Sequence, residues 1–319
     1  MVIRTGIIGL SEGNGHPFSF SAIVNGYDDG AFGKAGWPVI HEYLKRQGAE
    51  RFGIGEARIT CAWTQDVEIT KRLCAACRIE TACASADEML GMVDAVIVAR
   101  DDWETHAAFA MPFLERGVAV FVDKPLSLAD SELAQLEPYL RAGKLMSCSG
   151  LRYAVELDPL RVAQAQRDIG APRLVSGAVL LGLERYGIHL IEAMASLGYP
   201  FSEPVRATRL DAPHDAFLIR LADGTPFLLD CLGAVAKTFH LSVFGDRGHR
   251  HFDLHDNFSA FRRTLEAFFG MVASGVPPIA PDETLRIMRL IAAARELRPG
   301  ETANLEAGDA RHMQEVRSV

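Results

Sequence analysis

The chain has 319 residues, 49% of them hydrophobic and 23% charged, an ordinary globular balance that excludes a disordered or fibrous chain and predicts about two domains. A net charge of −8 excludes a broad cationic face for nucleic acid. No charged leader precedes an apolar run and no apolar stretch reaches membrane-spanning length, so a cytoplasmic protein with no membrane partner is expected.

In chain order, the β-rich apolar runs IRTGIIGL, ARITCAW, VDAVIVAR, GVAVFVDKP and KLMSCSG read as strands. Helical spacing over residues 18–25, 66–76, 104–116 and 131–141 alternates with them. Near-continuous apolar strands are buried on both faces, so residues 1–150 are expected to form an α/β domain with a parallel sheet covered by helices. Residues 25–55 exceed what one crossover needs. Within them, WPVIHEYLKRQG predicts an extra helix that either lies over a ligand or pads the domain edge, padding being the favoured reading.

From residue 151 to 319 the pattern changes to that of an α+β domain with an antiparallel or mixed sheet. PRLVSGAVLL, DAFLIRLADG, TPFLLDCLG and FHLSVFGDRG are successive strands, with ADGT as a hairpin turn. Phe258, Phe261, Leu265, Phe268 and Val272 then repeat at helical spacing, and Asp282 is placed to cap a helix carrying Leu285, Met288 and Ile291.

Six cysteines read as buried thiols, and the Cys74-x-x-Cys77 pair lacks a second ligand pair. Strand alternation sets His249, His251 and His255 on one side; exposed edge positions are favoured over a metal set, and no metal is expected. No nucleophile signature such as G-x-S-x-G is present.

DAVIVARDDWETH, GVAVFVDKPLS, GLRY, GIHLIEAMASLGYP and VFGDRG ahead of PPIAPDETLRIMRLIAAARE occur in an order and at spacings that resemble the Gfo/Idh/MocA family of NAD(P)-dependent sugar oxidoreductases. The resemblance covers most of the chain. It implies an N-terminal Rossmann domain, NAD or NADP as cofactor, a small carbohydrate substrate, and an α+β C-terminal domain whose open, mainly antiparallel sheet is used for association into a dimer or tetramer.

It also implies a site. The opening turn in GIIGLSEGNGHPFSF departs from the usual G-x-G-x-x-G: Leu10, Ser11 and Glu12 stand where further turn residues belong, so the turn is expected to be lengthened, with Glu12 facing away from a pyrophosphate or the phosphate seated differently. Cofactor contacts are expected from Gly9, Gly13, Asn14, Gly15, His16, Trp63, Ala99, Arg100, His106, Asp123 and Lys124. No carboxylate ends the second strand, where Trp63 and Thr64 stand and Asp66 comes late, so NAD and NADP both stay open.

Lys124, in a DKP where the family usually has EKP, corresponds to the lysine that orients the reacting hydroxyl; the alternative is a surface lysine at a strand end. His189 corresponds to the proton-transfer histidine, but Arg185 replaces the aspartate four residues ahead of it, and Glu184 or Glu192 are the carboxylates left to substitute. A core histidine is the alternative. Arg152 and Tyr153 either border the substrate or act as a brace. Arg185 points to a sugar acid as one substrate class. Two other readings stand beside a dehydrogenase: a cofactor-binding protein with little turnover, and NAD-assisted glycoside cleavage.

Overall fold

The computed structural model of the chain describes residues 2–201 and 205–305. The first apolar runs form six parallel strands, β1 Ile3–Ile8, β2 Ala57–Trp63, β3 Thr81–Ala82, β4 Ala95–Val98, β5 Ala119–Val122 and β6 Leu145–Ser147. Their order is β3-β2-β1-β4-β5-β6, the doubly wound arrangement that reverses between β1 and β4 and opens a ligand crevice beyond their carboxyl ends. Every residue of β4 and β5 is buried, as expected of strands covered on both faces.

The helices of this half are α1 His16–Asn25, α2 Asp29–Phe32, α3 Pro38–Lys45, α4 Val67–Cys77, α5 His106–Leu114 and α6 Asp130–Arg141. The long segment after α1 is occupied by α2 and α3. Beyond β6 come α7 Asp158–Arg161, α8 Ala163–Ile169, α9 Ile188–Ala195, α10 Asn257–Ser274 and α11 Pro281–Arg295.

The chain divides into two units. One holds the residues up to 127 with 135–147 and 261–279; the other holds 128–134, 148–260 and those from 280 on. A single boundary at residue 150 therefore misses most of α10, which completes the first unit. There the Phe261 ring lies 4.8 Å from the His16 ring and 5.2 Å from that of Phe20, and Phe268 lies 5.8 Å from Phe121.

The second unit carries β7 Pro172–Val179, β8 Val205–Arg209, β9 Asp215–Arg220, β10 Pro226–Cys231, β11 Phe239–Gly245, β12 His249–Asp253 and β13 Thr302–Leu305. These form one open sheet in the order β12-β11-β7-β10-β9-β8-β13. The β7–β10 pair is parallel and the other pairs are antiparallel. Val175, Val179, Phe227, Leu229 and Cys231 make its buried face. α9 lies close over it, since a Cβ at Gly177 would meet Leu190 at 2.9 Å.

Asp282 does not cap α11. The cap position is Ala280 with Pro281 at the first turn, and Asp282 stands inside that turn, where a carboxylate still suits the positive end of the helix. His249 and His251 lie on the edge strand β12, their rings 5.0 Å apart. His255 lies beyond that strand, its Nδ1 donating to the Asp253 carbonyl at 2.8 Å. No group of metal-ligating side chains is found among the described residues.

Candidate active site

The turn after β1 is held from three sides. The Gln65 side-chain amide grips the Leu10 backbone twice, accepting from its N–H at 2.8 Å and donating to its carbonyl at 2.5 Å. Arg100 donates to the same carbonyl at 3.1 Å. Ser11 Oγ donates to Asp101 Oδ1 at 2.5 Å. Asn14 Oδ1 accepts the His16 N–H at 2.8 Å, while Asn14 Nδ2 and His16 Nδ1 both reach Asp123 Oδ2, at 3.2 and 2.5 Å. The turn residues Leu10, Ser11 and Asn14 are thus fixed by side chains from the ends of β2, β4 and β5, and Glu12 is exposed.

Two glycines here answer to close approach. A Cβ on Gly9 would sit 2.4 Å from Pro17, and one on Gly15 would sit 2.4 Å from Ile40 and 2.7 Å from Trp37. Gly9 lets α1 start against the strand end. Gly15 is demanded by the inserted α3, not by a ligand.

Does the cradle fit a dinucleotide? Gly13 turns at φ +74°, and the N–H groups of Gly13 and Gly15 donate to no acceptor among the described residues. Free N–H groups at a helix start are the donor set a pyrophosphate needs. Beyond the end of β2, Trp63, Ala86, Asp87, Ala108, Phe109 and Phe113 line a cavity of about 270 Å³. Trp63 is held there by its indole N–H on the Ala84 carbonyl and by Phe109 at 5.4 Å, a slot with the apolar walls an adenine takes. The residues present fit the group.

Asp66 accepts from the N–H groups of Glu68 and Ile69 at 2.8 and 3.1 Å, so it caps α4. Arg100 is forked onto Asp102 at 2.9 and 2.5 Å and lies 5.4 Å over the Phe109 ring. Its guanidinium is engaged by the protein itself. Ala99 extends the strand ladder, its N–H on the Ile8 carbonyl at 2.7 Å.

Lys124 follows directly on the Asp123 clamp. It is 4% exposed, which removes the surface-lysine alternative, and its Nζ lies 3.8 Å from Asp101 Oδ2. Burial alone would push the Asp123 carboxyl up, but His16, the Lys124 charge and the Lys124 N–H at 2.9 Å hold it well below the usual carboxylate range. Asp123 is therefore a permanent anion pinning the cofactor turn to the base of the lysine.

His106 departs from expectation. It is completely buried, with Nδ1 at 2.9 and 3.1 Å from the carbonyls of Pro125 and Leu126 and Nε2 at 3.0 Å from that of Arg100. Burial lowers its pKa against the pull of Asp123 and those carbonyls. Both ring nitrogens face backbone carbonyls, one of them donating, so His106 braces the exits of β4 and β5.

In the second unit, His189 opens α9 after a π-helical turn, Leu183–Gly187. Its Nδ1 lies 2.6 Å from Ser149 Oγ, and the rings of Tyr186 and Phe239 stand 5.6 and 5.4 Å away. The wider turn spoils the four-residue stacking expected between Arg185 and His189; Arg185 is exposed. Neither substitute carboxylate serves the histidine. Glu184 pairs with Arg295 at 2.6 Å, and Glu192 accepts from Arg152 Nε.

Arg152 is buried and also lies 2.8 Å from Glu283 Oε1. Its guanidinium is committed to two carboxylates, so of its two open roles it takes the brace, tying the Gly150–Tyr153 turn to α9 and α11. Glu192 is fully buried with Oε1 unpartnered among the described residues, and burial raises its pKa against the pull of Arg152. Burial likewise raises the Tyr153 phenol.

Ser11, Gln65, Asp101 and Ser149 escaped sequence reasoning. Asp101 alone carried a signal, as a carboxylate just past a strand that ends at the crevice; the others are common residues in loops.

The six-stranded sheet has the doubly wound order of a dinucleotide-binding Rossmann fold. Residues 22–146 match the model of the oxidoreductase family with an NAD-binding Rossmann fold, GFO_IDH_MocA. Among solved structures, the fold is similar to that of a myo-inositol 2-dehydrogenase from Lactobacillus plantarum (TM-score 0.72, 16% identity, covering 93% of this chain and 97% of that one). It is also similar to a myo-inositol dehydrogenase from Lactobacillus casei in complex with NAD(H) and myo-inositol (TM-score 0.70, 16% identity, 96% and 97%). A third similar fold is a probable dehydrogenase from Thermotoga maritima (TM-score 0.70, 17% identity, 95% and 98%). No curated protein matches the chain in sequence.

Proposed function

We propose that this protein is an NAD(P)-dependent oxidoreductase that moves a hydride between nicotinamide and the alcohol or carbonyl carbon of a polyol or sugar. The observation that carries the reading is Lys124, a buried ammonium group at the end of β5, one residue from the carboxylate that clamps the cofactor turn. A polyol is the favoured class because the similar folds include inositol dehydrogenases.

Gly13, Gly15 and the start of α1 would hold the pyrophosphate, and the Trp63 cavity the adenine. Bound nicotinamide supplies a carbon that accepts or returns a hydride. Lys124 orients the substrate oxygen and stabilises the negative charge that grows on it. Asp101 Oδ2 lies 3.8 Å from that ammonium group. His189, in the second unit, is the residue we propose for proton exchange. We further read the protein as cytoplasmic and its open C-terminal sheet as the contact of a homo-oligomer, testable by light scattering. No helix among the described residues is long and apolar enough to cross a membrane.

Arg185, standing where an aspartate is usual, favours one second reading, a cofactor-binding protein with little turnover. Fluorescence titration with NADH and NADPH, followed by a polyol, sugar and sugar-acid panel with each oxidised cofactor, separates the two. Lys124→Ala is expected to lower turnover at least about a thousandfold and to leave cofactor binding within a few-fold of wild type. Tight binding with no turnover across the panel selects the second reading.

A further inference from the structure

His16 is the first residue of α1, beside Gly13 and Gly15, whose N–H groups have no acceptor among the described residues. Of residues 9–16 it alone can carry a positive charge. Backbone N–H groups and a helix dipole offer an anion partial charges, whereas each phosphate of a dinucleotide bridge brings a whole negative one.

The ring is fixed in place. Its Nδ1 lies 2.5 Å from Asp123 Oδ2, and Phe20 of α1 and Phe261 of α10 lie against it with ring centroids at 5.0 and 4.8 Å. Asp123 is held ionised by its surroundings, and a carboxylate only accepts, so Nδ1 is the donor of this bond. Nε2 has no hydrogen-bond partner among the described residues. The His16 side chain is 22% exposed, against 4% for Asp123, so ligand can reach the ring but not the carboxylate behind it.

Asp123 also makes a cation necessary. Its Oδ2 takes Asn14 Nδ2 as well as His16, which sets a full negative charge behind the turn that is to receive a second anion. Like charges repel strongly where water is excluded. The neighbouring Lys124 turns its ammonium toward Asp101, at 3.8 Å. A positive charge on the ring bonded to Asp123 removes the repulsion at its source.

We propose that His16 is the cation of the dinucleotide site: with Nδ1 on Asp123, its ring donates from Nε2 to an oxygen of the pyrophosphate. Both partners are acceptors only, so in the complex both ring nitrogens carry hydrogen. This rests on the dinucleotide binding of the reading above and not on turnover.

Titration calorimetry of the full-length protein with ADP-ribose, which carries the diphosphate, and with adenosine, which lacks it, separates this role from packing. His16→Phe keeps an aromatic ring beside Phe20 and Phe261 and removes both nitrogens. It is expected to weaken ADP-ribose at least about tenfold, the contribution of one charge-assisted hydrogen bond, and to leave adenosine within about twofold. The fall of ADP-ribose affinity with added salt should flatten as well. Equal losses for the two ligands, or a salt dependence equal to wild type, overturn the proposal. Proton–nitrogen correlation spectra of the wild-type complex with ADP-ribose, the His16 signal assigned by its loss in His16→Gln, decide without relying on the fold of His16→Phe. Two protonated ring nitrogens are expected, and a bare Nε2 at saturation overturns the proposal. A wild type that binds no ADP-ribose overturns this site and the cofactor reading together. The expected affinities and spectrum without turnover of any substrate leave His16 in its role and sink the oxidoreductase reading instead.

Discussion

Asp123 has no exposure to spare and three neighbours that need its charge, so its contribution to stability follows pH with a definite sign. Its folded pKa lies below the unfolded value, so the stabilisation is complete above about pH 4 and is lost as pH falls below it. Asp123→Asn is expected to cost about 1–3 kcal/mol at neutral pH, and denaturant midpoints should show the gap from wild type closing as the solution is acidified. A gap that stays constant with pH contradicts the clamp. At the other buried pair, Arg152→Met strands Glu192 beside Glu283 and is expected to cost about 3–5 kcal/mol. Adding Glu192→Leu should return part of that loss, which a double-mutant cycle measures. Lys124 and Asp123 were legible in the sequence because a charged pair closing the apolar run GVAVFV and followed by proline has few structural uses. The destination of Arg152 was not legible, because its partners come from residues 40 and 131 positions further along the chain.

At the scale of elements, Gly15 joins the cofactor turn to the inserted helix α3. Gly15→Ala drives a methyl group into Ile40 and Trp37 and is expected to destabilise the protein by about 1–3 kcal/mol. Calorimetry should find part of that recovered in Gly15→Ala/Ile40→Ala; no recovery would place the strain elsewhere. The five long strands of the first unit could be read from sequence because burial on both faces leaves an unbroken apolar run. β3 could not, with two residues that are both exposed. β8 and β13 hide as well: VRATR and TANL pair with each other at one end of the sheet and carry too few apolar residues to alternate visibly. The π-helical turn before α9 has no compositional mark, which is why Arg185 and His189 read as neighbours on one face.

For the whole molecule, a chain cut at residue 150 does not contain the first unit. It lacks Phe261 and Phe268, which pack on Phe20 and Phe121, and it exposes those rings. A fragment of residues 1–150 is expected to bind hydrophobic dyes and lose a cooperative thermal transition, whereas the full chain melts cooperatively; a cooperative, dye-free fragment contradicts this assembly of the unit. Sequence reading reached the class of both halves, since strand character switches visibly after the fifth strand, but not the return of α10, because an amphipathic helix does not say which sheet it covers.

The measurement closest to the centre of the account pairs binding and turnover in one variant. With whichever polyol or sugar the wild-type enzyme oxidises, Lys124→Ala should still quench or enhance reduced-nicotinamide fluorescence on binding, yet form almost no reduced cofactor. Turnover by Lys124→Ala within a few-fold of the wild-type rate would contradict the account.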